Sequence, residues 1–478
     1  MSRFIFSAFL CFFTQLALAQ ELLDRDNLHQ KAADEFLSTH FFENGRGMTI
    51  SPDLAVFLGG LKKPAFPSLI VDPIITKRYG FISGKKQRYM GVFEVDYKGM
   101  NLAVLGCTGC HSGKAAGRII PGLGNKTIDP YLIGKDLLKA QGIWQNFVQQ
   151  KIDEDKDYAY VHEKAMNFAK VLASEDISNL TRGLVPDSTI KTFFYKDQGV
   201  EWGPEIERTQ VKVPSLWGIK EKRKNGIFAD GSLSSDNYAW AFGAELFASD
   251  SGDHLRAVLP KLKHLIDDVL GNLLPPKYPY KINEALALKG KPLVENSCFR
   301  CHGEHKRDPE GFPIYKAPKL IPHHLVETDE QRLDYGNSIW VDLAEQGSVG
   351  DLIKFNHDYF GYGFFAPKLW GIWSRFPYLH NGSVPSLYHL LVPPEERPVV
   401  FDLEDAGEEY RFNRSIVGLT IYHNPVMINI KTHEAQDGHR GLYYVEREEH
   451  SNKGHYFSFM DDFTEDDRMA IIEYLKTL

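Results

Sequence analysis

One five-residue motif, Cys-x-x-Cys-His, occurs twice in the chain of 478 residues, at positions 107–111 and 298–302. Two thiols at this spacing match the two vinyl groups of a porphyrin, to which each sulfur can add, and the adjoining imidazole can bind the porphyrin iron. The motif therefore predicts covalent attachment of a c-type haem, and two copies predict two haem c groups. The attachment residues and proximal iron ligands would be Cys107, Cys110 and His111, and Cys298, Cys301 and His302.

Two other interpretations of the motif are a redox dithiol and one half of a zinc site. A redox dithiol usually occurs once in a chain, and a zinc pairing more often lacks the adjoining histidine. Repetition of the complete motif therefore favours haem.

The first 19 residues have the pattern of a secretory signal peptide. Arg3 precedes an apolar run at positions 4–13, and Ala17-Leu18-Ala19 forms a small-x-small cleavage site. A membrane anchor is the alternative, but the apolar run is short and interrupted by polar residues. Because c-type haems are attached outside the cytoplasm in bacteria, the signal and the motifs support each other. We expect a periplasmic or secreted bacterial protein with no membrane span after cleavage.

Composition narrows the possibilities further. Cys11 lies in the signal and the other four cysteines belong to the two motifs, so none is left for a structural disulfide. The formal net charge of −8 is spread over the chain without a long basic run, and nucleic-acid binding is therefore not expected. A hydrophobic fraction of 43% is sufficient for packed cores.

An internal repeat follows each motif. Residues 213–219, Val-Pro-Ser-Leu-Trp-Gly-Ile, match residues 366–372, Ala-Pro-Lys-Leu-Trp-Gly-Ile. Asp230-Gly231-Ser232 follows the first copy and Asn381-Gly382-Ser383 the second. A repeat of this kind indicates duplication, which predicts two related haem domains.

The periodicity of apolar residues predicts a mainly α fold. Helical spacing occurs in residues 161–172 and 262–269, and a helix is expected from 283 to 296, directly before the second motif. Thr464 is the expected N-cap of a last helix. Alternation of apolar and polar residues predicts a strand at 90–97.

The expected architecture is two cytochrome c-like haem domains in tandem, preceded by an N-terminal extension with some β structure and long loops. Pro275-Pro276 and Pro279 form a stiff segment that marks the boundary between the two domains. The expected ranges are 1–19 for the signal peptide, 20–95 for the extension, 96–274 for the first haem domain and 281–478 for the second.

The sequence resembles the bacterial di-haem cytochrome c peroxidase superfamily, which also includes the methylamine dehydrogenase maturation enzyme and the rubber oxygenases. The resemblance rests on the paired motifs, on residues 366–371 (Ala-Pro-x-Leu-Trp-Gly), and on residues 376–383, which are similar to the family's Pro-Tyr-x-His-Asp/Asn-Gly stretch. Residues 391–397 and 451–455 favour the rubber-oxygenase-like branch. The helices around the second motif also resemble the paired helices of class I cytochromes c, with Gly290 and Tyr474 in the places of their crossing residues.

Several positions depart from the peroxidase pattern. Many bacterial peroxidases have a displaceable histidine shortly after the first motif, whereas no histidine occurs here between His111 and His162. Ala229 replaces the family's tryptophan before the first Asp-Gly, and Phe364 and Phe365 stand where a methionine ligand is expected. These departures resemble the rubber-oxygenase branch, whose first haem is open and whose second haem has two histidines.

The resemblance implies a second ligand for the second iron, and His455 is the preferred candidate. It lies in a glycine-flanked loop before the last helix, although a surface histidine in a polar loop is the alternative interpretation. Met460, His380 and His357 are rivals, and a methionine would raise the reduction potential of the haem.

Trp217 is the aromatic residue expected between or over the haems, where tryptophan can carry an electron. A plain core residue is the alternative, because Trp370 occupies the same place in the second repeat. Candidates for the distal pocket of the first haem are Phe228, Asp230 and Glu245. A carboxylate there would act as a general acid–base group for peroxide, whereas an apolar face would favour dioxygen.

Three functions fit these features. The first is a peroxidase-type oxidoreductase, with an open catalytic haem at the first motif and an electron-transfer haem at the second, which takes electrons from a small redox protein and reduces hydrogen peroxide. The second is an oxygenase resembling the rubber oxygenases, which uses dioxygen. The third is a non-catalytic periplasmic electron carrier. Some relatives hold a metal ion between their domains, but no residue set in this sequence specifies one.

Overall fold

The computed structural model describes residues 27–41, 49–51, 74–84, 88–143, 145–173, 181–186, 210–219, 252–307, 313–315, 320–330, 332–333, 362–421, 428–429, 434–435, 440–447 and 449–478. Its helices are α1 (27–38), α2 (Pro130–Ile143), α3 (Gln145–Glu154), α4 (Lys156–Ala173), α5 (Gly252–His264), α6 (Glu284–Asn296), α7 (Phe299–His302), α8 (His323–Val326), α9 (Leu387–Leu390) and α10 (Glu465–Leu475). Among these described helices, none has the length and apolarity that crossing a membrane requires.

Short strands pair between the helices. They are β1 (Thr49–Ser51), β2 (Val92–Tyr97), β3 (Met100–Leu105), β4 (Ser112–Ala115), β5 (Arg118–Pro121), β6 (Leu184–Pro186), β7 (Gln210–Lys212), β8 (His305–Arg307), β9 (Pro313–Tyr315), β10 (Leu320–Pro322), β11 (Gly363–Phe365), β12 (Val400–Asp402), β13 (Phe412–Asn413), β14 (Gly418–Leu419), β15 (Ile428–Asn429), β16 (Glu434–Ala435) and β17 (Leu442–Tyr444). One sheet has the order β1-β3-β2, and the others are the antiparallel pairs β4-β5, β6-β7, β8-β9, β10-β11, β12-β17, β13-β14 and β15-β16.

A β-hairpin leads into the first motif. Strands β2 and β3 are antiparallel with Val92 opposite Leu105, and the turn between them places Lys98 and Gly99 at positive φ. Two-residue turns of this kind match the twist of paired strands. The strand predicted from apolar–polar alternation is confirmed, and β3 continues through Gly106 directly into the motif.

Helix α4 buries the apolar stripe that its sequence predicted. Val161, Ala165, Ala169 and Leu172 are each at most 1% exposed. Helix α2 crosses α4 closely at Gly134, where an added Cβ atom would lie 2.6 Å from the Cβ of Leu172. The stripe is therefore core, as its spacing indicated.

The second predicted stripe is also buried, but its helix changes form. Leu262, Leu265, Ile266 and Val269 are each at most 2% exposed. The chain follows α5 as a π-helical turn at Leu265–Val269 and ends in a 3-10 turn at Leu270–Asn272. Residues 273–279, which contain the predicted proline-rich break, have no regular secondary structure.

The two helices around the second motif each begin at a side-chain cap, and the sequence predicted the one at Thr464. The Asn283 side chain accepts a hydrogen bond from the backbone N–H of Leu286 and begins α6. Thr464 and Asp467 form a reciprocal capping box that begins α10.

Helices α6 and α10 cross with their backbones in close contact. Gly290 on α6 faces Ala470 on α10, and an added Cβ atom at Gly290 would lie 1.9 Å from the Ala470 carbonyl oxygen. Ala470, Ile471 and Ile472 are fully buried. Tyr474 lies one turn further along α10 and is partly buried, so the residue nearest Gly290 is alanine rather than the aromatic expected at the crossing.

The prediction of a mainly α fold with two tandem cytochrome c-like haem domains is wrong. Helices alternate with several small sheets, because the glycine- and proline-containing segments between them pair as short strands. The largest cluster of buried apolar side chains joins Cys107, Trp217, Val294, Trp370 and Leu475, so segments from both halves share one core. Two separate cytochrome domains are not distinguished within the described ranges. The exact residue boundaries proposed above stay predictions.

Candidate functional site

The first motif forms a compact turn between two strands. Residues Cys107–Gly109 make one 3-10 turn, and the backbone N–H of His111 donates to the Cys107 carbonyl oxygen at 2.8 Å. Strand β4 then begins directly after His111. The turn therefore holds the two thiols and the imidazole of one motif close together.

The glycine-containing loop after the motif folds back onto it. The backbone N–H of Gly122 donates to the His111 carbonyl oxygen at 2.8 Å, and that of Asn125 donates to the Cys110 carbonyl oxygen at 2.7 Å. The buried Asn125 side chain donates to the carbonyl oxygens of Gly80 and Gly109 at 2.9 and 3.2 Å. These bonds join the loop to the motif and to Gly80, and the loop therefore fixes the position of the motif.

A proline carbonyl orients the first imidazole. His111 Nδ1 lies 3.0 Å from the carbonyl oxygen of Pro214, which belongs to the first copy of the internal repeat. Since a carbonyl only accepts, Nδ1 carries the proton and Nε2 carries the lone pair. Metal-ligating histidines usually donate a hydrogen bond in this way from the ring nitrogen that does not bind the metal.

The second motif is instead part of a helical segment. Helix α6 ends at Asn296, and Cys298 precedes the short helix α7. The backbone N–H of His302 donates to the Cys298 carbonyl oxygen at 2.9 Å. His302 Nδ1 lies 2.6 Å from the carbonyl oxygen of Pro367, in the second copy of the repeat. The two repeats thus serve the two motif histidines in the same way.

The repeats also contact each other. Trp217 is buried and its Nε1–H donates to the Trp370 carbonyl oxygen at 3.0 Å. In the other direction, Lys368 Nζ donates to the Gly218 carbonyl oxygen. Trp217 therefore lies where the two repeat segments meet, and its place between or over the haems stays a prediction.

His455 lies opposite His302, the histidine of the second motif. Its ring centroid is 6.1 Å from that of His302, with the ring planes at 57°. The loop that carries it is fixed by the His455 backbone N–H, which donates to the Val326 carbonyl oxygen at 2.7 Å, and by Arg397, which donates to the Gly454 carbonyl oxygen at 2.9 Å. His455 itself has a positive φ of 50°.

The distance between these two rings fits a shared iron. Metal–imidazole nitrogen distances are about 2 Å, so two imidazoles on one metal ion have centroids about 6 Å apart. His455 Nδ1 is buried and has no hydrogen-bond partner within the described ranges. His302 and His455 are therefore the described residues that would hold an iron at the second motif.

Burial keeps both imidazoles neutral, as iron ligation requires. Burial lowers the pKa of His302 to about 4, and the nearby Arg375 charge lowers it further, whereas the hydrogen bond that His302 donates to the Pro367 carbonyl raises it. Burial also lowers the pKa of His455 to about 3, with smaller contributions from His302 and Arg397. At neutral pH each ring therefore carries only one proton, and its other nitrogen has a lone pair that a metal can bind.

The motif thiols are not joined in disulfides. Burial raises the pKa of Cys107 to about 12 and that of Cys110 to about 11. Burial also raises the pKa values of Cys298 and Cys301. All four therefore remain protonated thiols at neutral pH.

The rival ligands lie in other surroundings. His380 stacks on Phe364 with ring centroids 5.5 Å apart, and its Nε2 lies 4.0 Å from a carboxylate oxygen of Asp329. Met460 is buried in the 3-10 turn Ser458–Met460. His357 lies outside the described residues.

The other candidate residues cannot be placed. Phe228, Asp230 and Glu245, suggested for the distal pocket of the first haem, lie outside the described residues. Asn381 is the residue of the second repeat that corresponds to Asp230. Its side chain donates to the carbonyl oxygens of Glu449 at 3.2 Å and Ser451 at 2.9 Å. Within the described part of the chain, no group of three His, Cys, Asp or Glu residues is arranged to hold a metal ion.

Sequence reasoning missed the basic residues beside the repeats. Lys212, Lys368 and Arg375 lie in or beside the repeat segments, and Lys126 packs on Phe376; Lys126 and Lys368 are more than nine-tenths buried. For the first three, the available signal was their position next to the repeated apolar segments. Lysine at such a place is usually taken as surface, because most lysines are exposed.

Comparison with known proteins agrees with part of this description. A family model described as RoxA-like, cytochrome c-like matches residues 363–402, a segment that contains Pro367 and Arg375 but neither haem motif. A cytochrome c-like domain implies haem c binding. The match fits a haem-dependent oxidoreductase of the RoxA type.

Two uncharacterized proteins of Sinorhizobium fredii are similar in sequence. The protein y4iM is 28% identical over 299 residues, which cover 57% of this chain and 66% of y4iM. The protein y4iJ is 34% identical over 120 residues, which cover 24% of this chain and 17% of y4iJ. The chain thus spans just under two thirds of the first relative and a small part of the second.

Proposed function

We propose that this chain is an exported oxidoreductase that carries two covalently attached haem c groups. Cys107 and Cys110 would attach the first and Cys298 and Cys301 the second. The observation that carries the proposal is the pairing of His302 with His455 at 6.1 Å between ring centroids, in a chain whose two motif histidines each donate to a proline carbonyl. When bound, haem iron supplies one-electron transfer and the chemistry of peroxide or dioxygen.

The two motifs would have different roles. His302 and His455 would both bind the iron at the second motif, which would suit electron transfer because no position would be left there for a substrate. At the first motif, His111 is the proximal residue, and the absence of histidine up to His162 supports an open far side. Trp217, between the two proximal loops, offers a conjugated ring for electron passage between the two sites.

The reaction proposed for the first site is reduction of hydrogen peroxide with electrons from a small redox protein. Use of dioxygen on an apolar alkene is the second candidate, and the RoxA-like match at 363–402 favours it. Asp230 and Glu245 are the carboxylates proposed to transfer protons there, with Phe228 as the apolar neighbour. Peroxide-dependent oxidation of reduced cytochrome c, compared with oxygen uptake in the presence of an apolar alkene, distinguishes the two reactions.

Electron paramagnetic resonance of the oxidised protein tests the assignment of the two sites. We expect one high-spin and one low-spin ferric haem in the wild type. His455→Ala should convert the low-spin signal to high-spin, because the iron at the second motif loses an axial nitrogen. His380→Ala is the matched control and should retain the low-spin signal, since His380 packs on Phe364.

Two results would contradict this assignment. A wild-type spectrum with only low-spin haem would remove the open site and favour a non-catalytic electron carrier. An unchanged spectrum in His455→Ala would transfer the ligand role to Met460 or His380.

A further inference from the structure

Four basic side chains meet between the two repeat segments. This basic cluster consists of Lys126, Lys212, Lys368 and Arg375. Lys126 and Lys368 are 7% and 8% exposed, and the other two are partly buried. Lys212 Nζ donates to the carbonyl oxygens of Arg375 and Pro377 at 2.9 and 2.7 Å.

Direct contacts connect the cluster. Arg375 donates to the Lys368 carbonyl oxygen and lies 3.5 Å from Ser215 Oγ in the other repeat. Lys126 and Lys212 are close enough that the charge of the first lowers the pKa of the second. The cluster therefore bridges the loop that orients His111 and the loop that orients His302.

The partners of the two central lysines are neutral groups. Lys126 Nζ donates to the Lys114 carbonyl oxygen at 3.0 Å and lies 4.6 Å from the centroid of the Phe376 ring. Besides the two carbonyl oxygens, Lys212 Nζ faces the Tyr378 ring, whose centroid is 5.8 Å away. In the described part of the chain, neither lysine forms an ion pair with a carboxylate.

This arrangement is unfavourable for the charged form of either lysine. Removing an ammonium group from water costs several kcal/mol, and carbonyls and ring faces compensate only part of that. Burial lowers the pKa of Lys126 to about 7 and that of Lys212 well below its usual range, where Arg375 and Lys126 add like-charge repulsion. A bound anion would restore both charges and satisfy the remaining N–H donors.

We propose that the basic cluster binds the propionate carboxylates of the attached haems, at the junction between the two motifs. Lys368 directly follows Pro367, the carbonyl partner of His302, and Lys212 lies two residues before Pro214, the partner of His111. A haem held by either histidine would carry two propionate carboxylates, which are anions of the kind that the cluster would bind. The inference rests on the proposed function, because it requires covalent haem.

Lys212→Met in the complete holoprotein tests the proposal, since methionine retains most of the length of the side chain and removes the charge. The exposed Lys277→Met is the matched control. We expect Lys212→Met to retain both haems in a pyridine haemochrome assay. Its midpoint reduction potential should shift downward for at least one haem, because losing a nearby positive charge favours the ferric state. The propionate bending bands in resonance Raman spectra should shift as well.

A free carboxylate or halide could meet the same chemistry, and salt dependence distinguishes it from haem. If propionates occupy the cluster, the wild-type potentials stay constant between low and high chloride or acetate. If the reduction potentials change with anion concentration in the wild type but not in Lys212→Met, the cluster binds a free anion. That result would contradict binding of the haem propionates.

Lys126→Met provides an independent variant if Lys212→Met does not fold. Unchanged potentials and Raman bands in a variant that retains both haems would overturn this inference alone. A wild-type protein without covalent haem would overturn the proposed function and this inference with it.

Discussion

The two motif regions orient their histidines alike but are built from different structure. Both imidazoles donate through Nδ1 to the carbonyl of a proline in a repeated segment. The first motif is a turn between strands β3 and β4, held by a returning loop, whereas the second directly follows helix α6, which packs on α10. The orientation of a ligand is thus independent of the secondary structure that presents it.

The far sides of the two regions also differ. His455, opposite His302, comes from the end of the chain and is brought there by Arg397 and the backbone of α8. The far side proposed for the first motif involves residues outside the described ranges. The second site would thus be completed by a loop that is distant in the chain. A mutation in that loop would remove a ligand without changing the motif.

The largest effect expected is loss of one haem. Replacing Cys298 and Cys301 with serine should halve the haem content per chain and remove the low-spin signal, because a serine hydroxyl does not form the thioether bond. Replacing Cys107 and Cys110 should also halve the content but retain the low-spin signal. Pyridine haemochrome quantification with paramagnetic resonance checks both. Full haem content in either double variant would contradict attachment at that motif.

Gly290→Ala tests the helical framework of the second region. An added Cβ atom would lie 1.9 Å from the Ala470 carbonyl oxygen, so the helices must separate. Overpacking typically costs about 1–3 kcal/mol, and here it opposes the gain of about 1 kcal/mol that alanine brings to a helix. We expect a net loss in the free energy of unfolding, measured by urea denaturation. Leu288→Ala, at a site 71% exposed on the same helix, is the control and should change little.

Asn125→Ala and Asn381→Ala compare the polar anchors of the two regions. Asn125 donates to the Gly80 and Gly109 carbonyls, and Asn381 donates to the Glu449 and Ser451 carbonyls near the His455 loop. Each substitution should cost about 1–3 kcal/mol, the usual cost of unsatisfied buried polar groups. Only Asn381→Ala should perturb the low-spin spectrum. An equal spectral change in both variants would contradict separate anchoring.

The smallest effect expected concerns a surface contact of the first half. His264 on α5 bonds Glu35 on α1 at 2.6 Å and Asp268 at 2.9 Å, and these bonds raise its pKa above the usual 6.5. Because the folded pKa is raised, the stabilisation is complete below the unfolded pKa and is lost as pH rises through the folded pKa.

The His264 side chain is 53% exposed, so solvent screening limits the contribution to less than about 1 kcal/mol. Urea unfolding of the wild type and His264→Gln should differ at pH 6 and converge at pH 9. A difference that grows with pH would contradict the ion-pair explanation.

Local features were predictable from the sequence. The capping box of Thr464, the buried stripe through Ala165 and the strand before the first motif follow from neighbouring residues alone. The motif histidines were found from spacing. The structure places His455 6.1 Å from His302 between ring centroids, and its role as second ligand of the second iron stays a prediction.

The long-range features were not predictable in the same way. The fold class was wrong because many short segments pair as strands, and β1, β10 and β12 do so with partners far away in the chain, which periodicity does not reveal. The repeat was recognised, but not that its copies pack on each other through Trp217 and Lys368. The burial of Lys126 was missed for the same reason, since its environment is assembled from distant segments.

The use of Pro214 and Pro367 carbonyls as acceptors has a consequence for how such a site tolerates mutation. The group that orients each imidazole belongs to the main chain, and every amino acid supplies one. A side-chain acceptor would be lost by a single substitution, whereas this acceptor is lost only if the loop changes its path. Drift of side chains in these loops would thus leave the ligand geometry intact, and insertions or deletions would not.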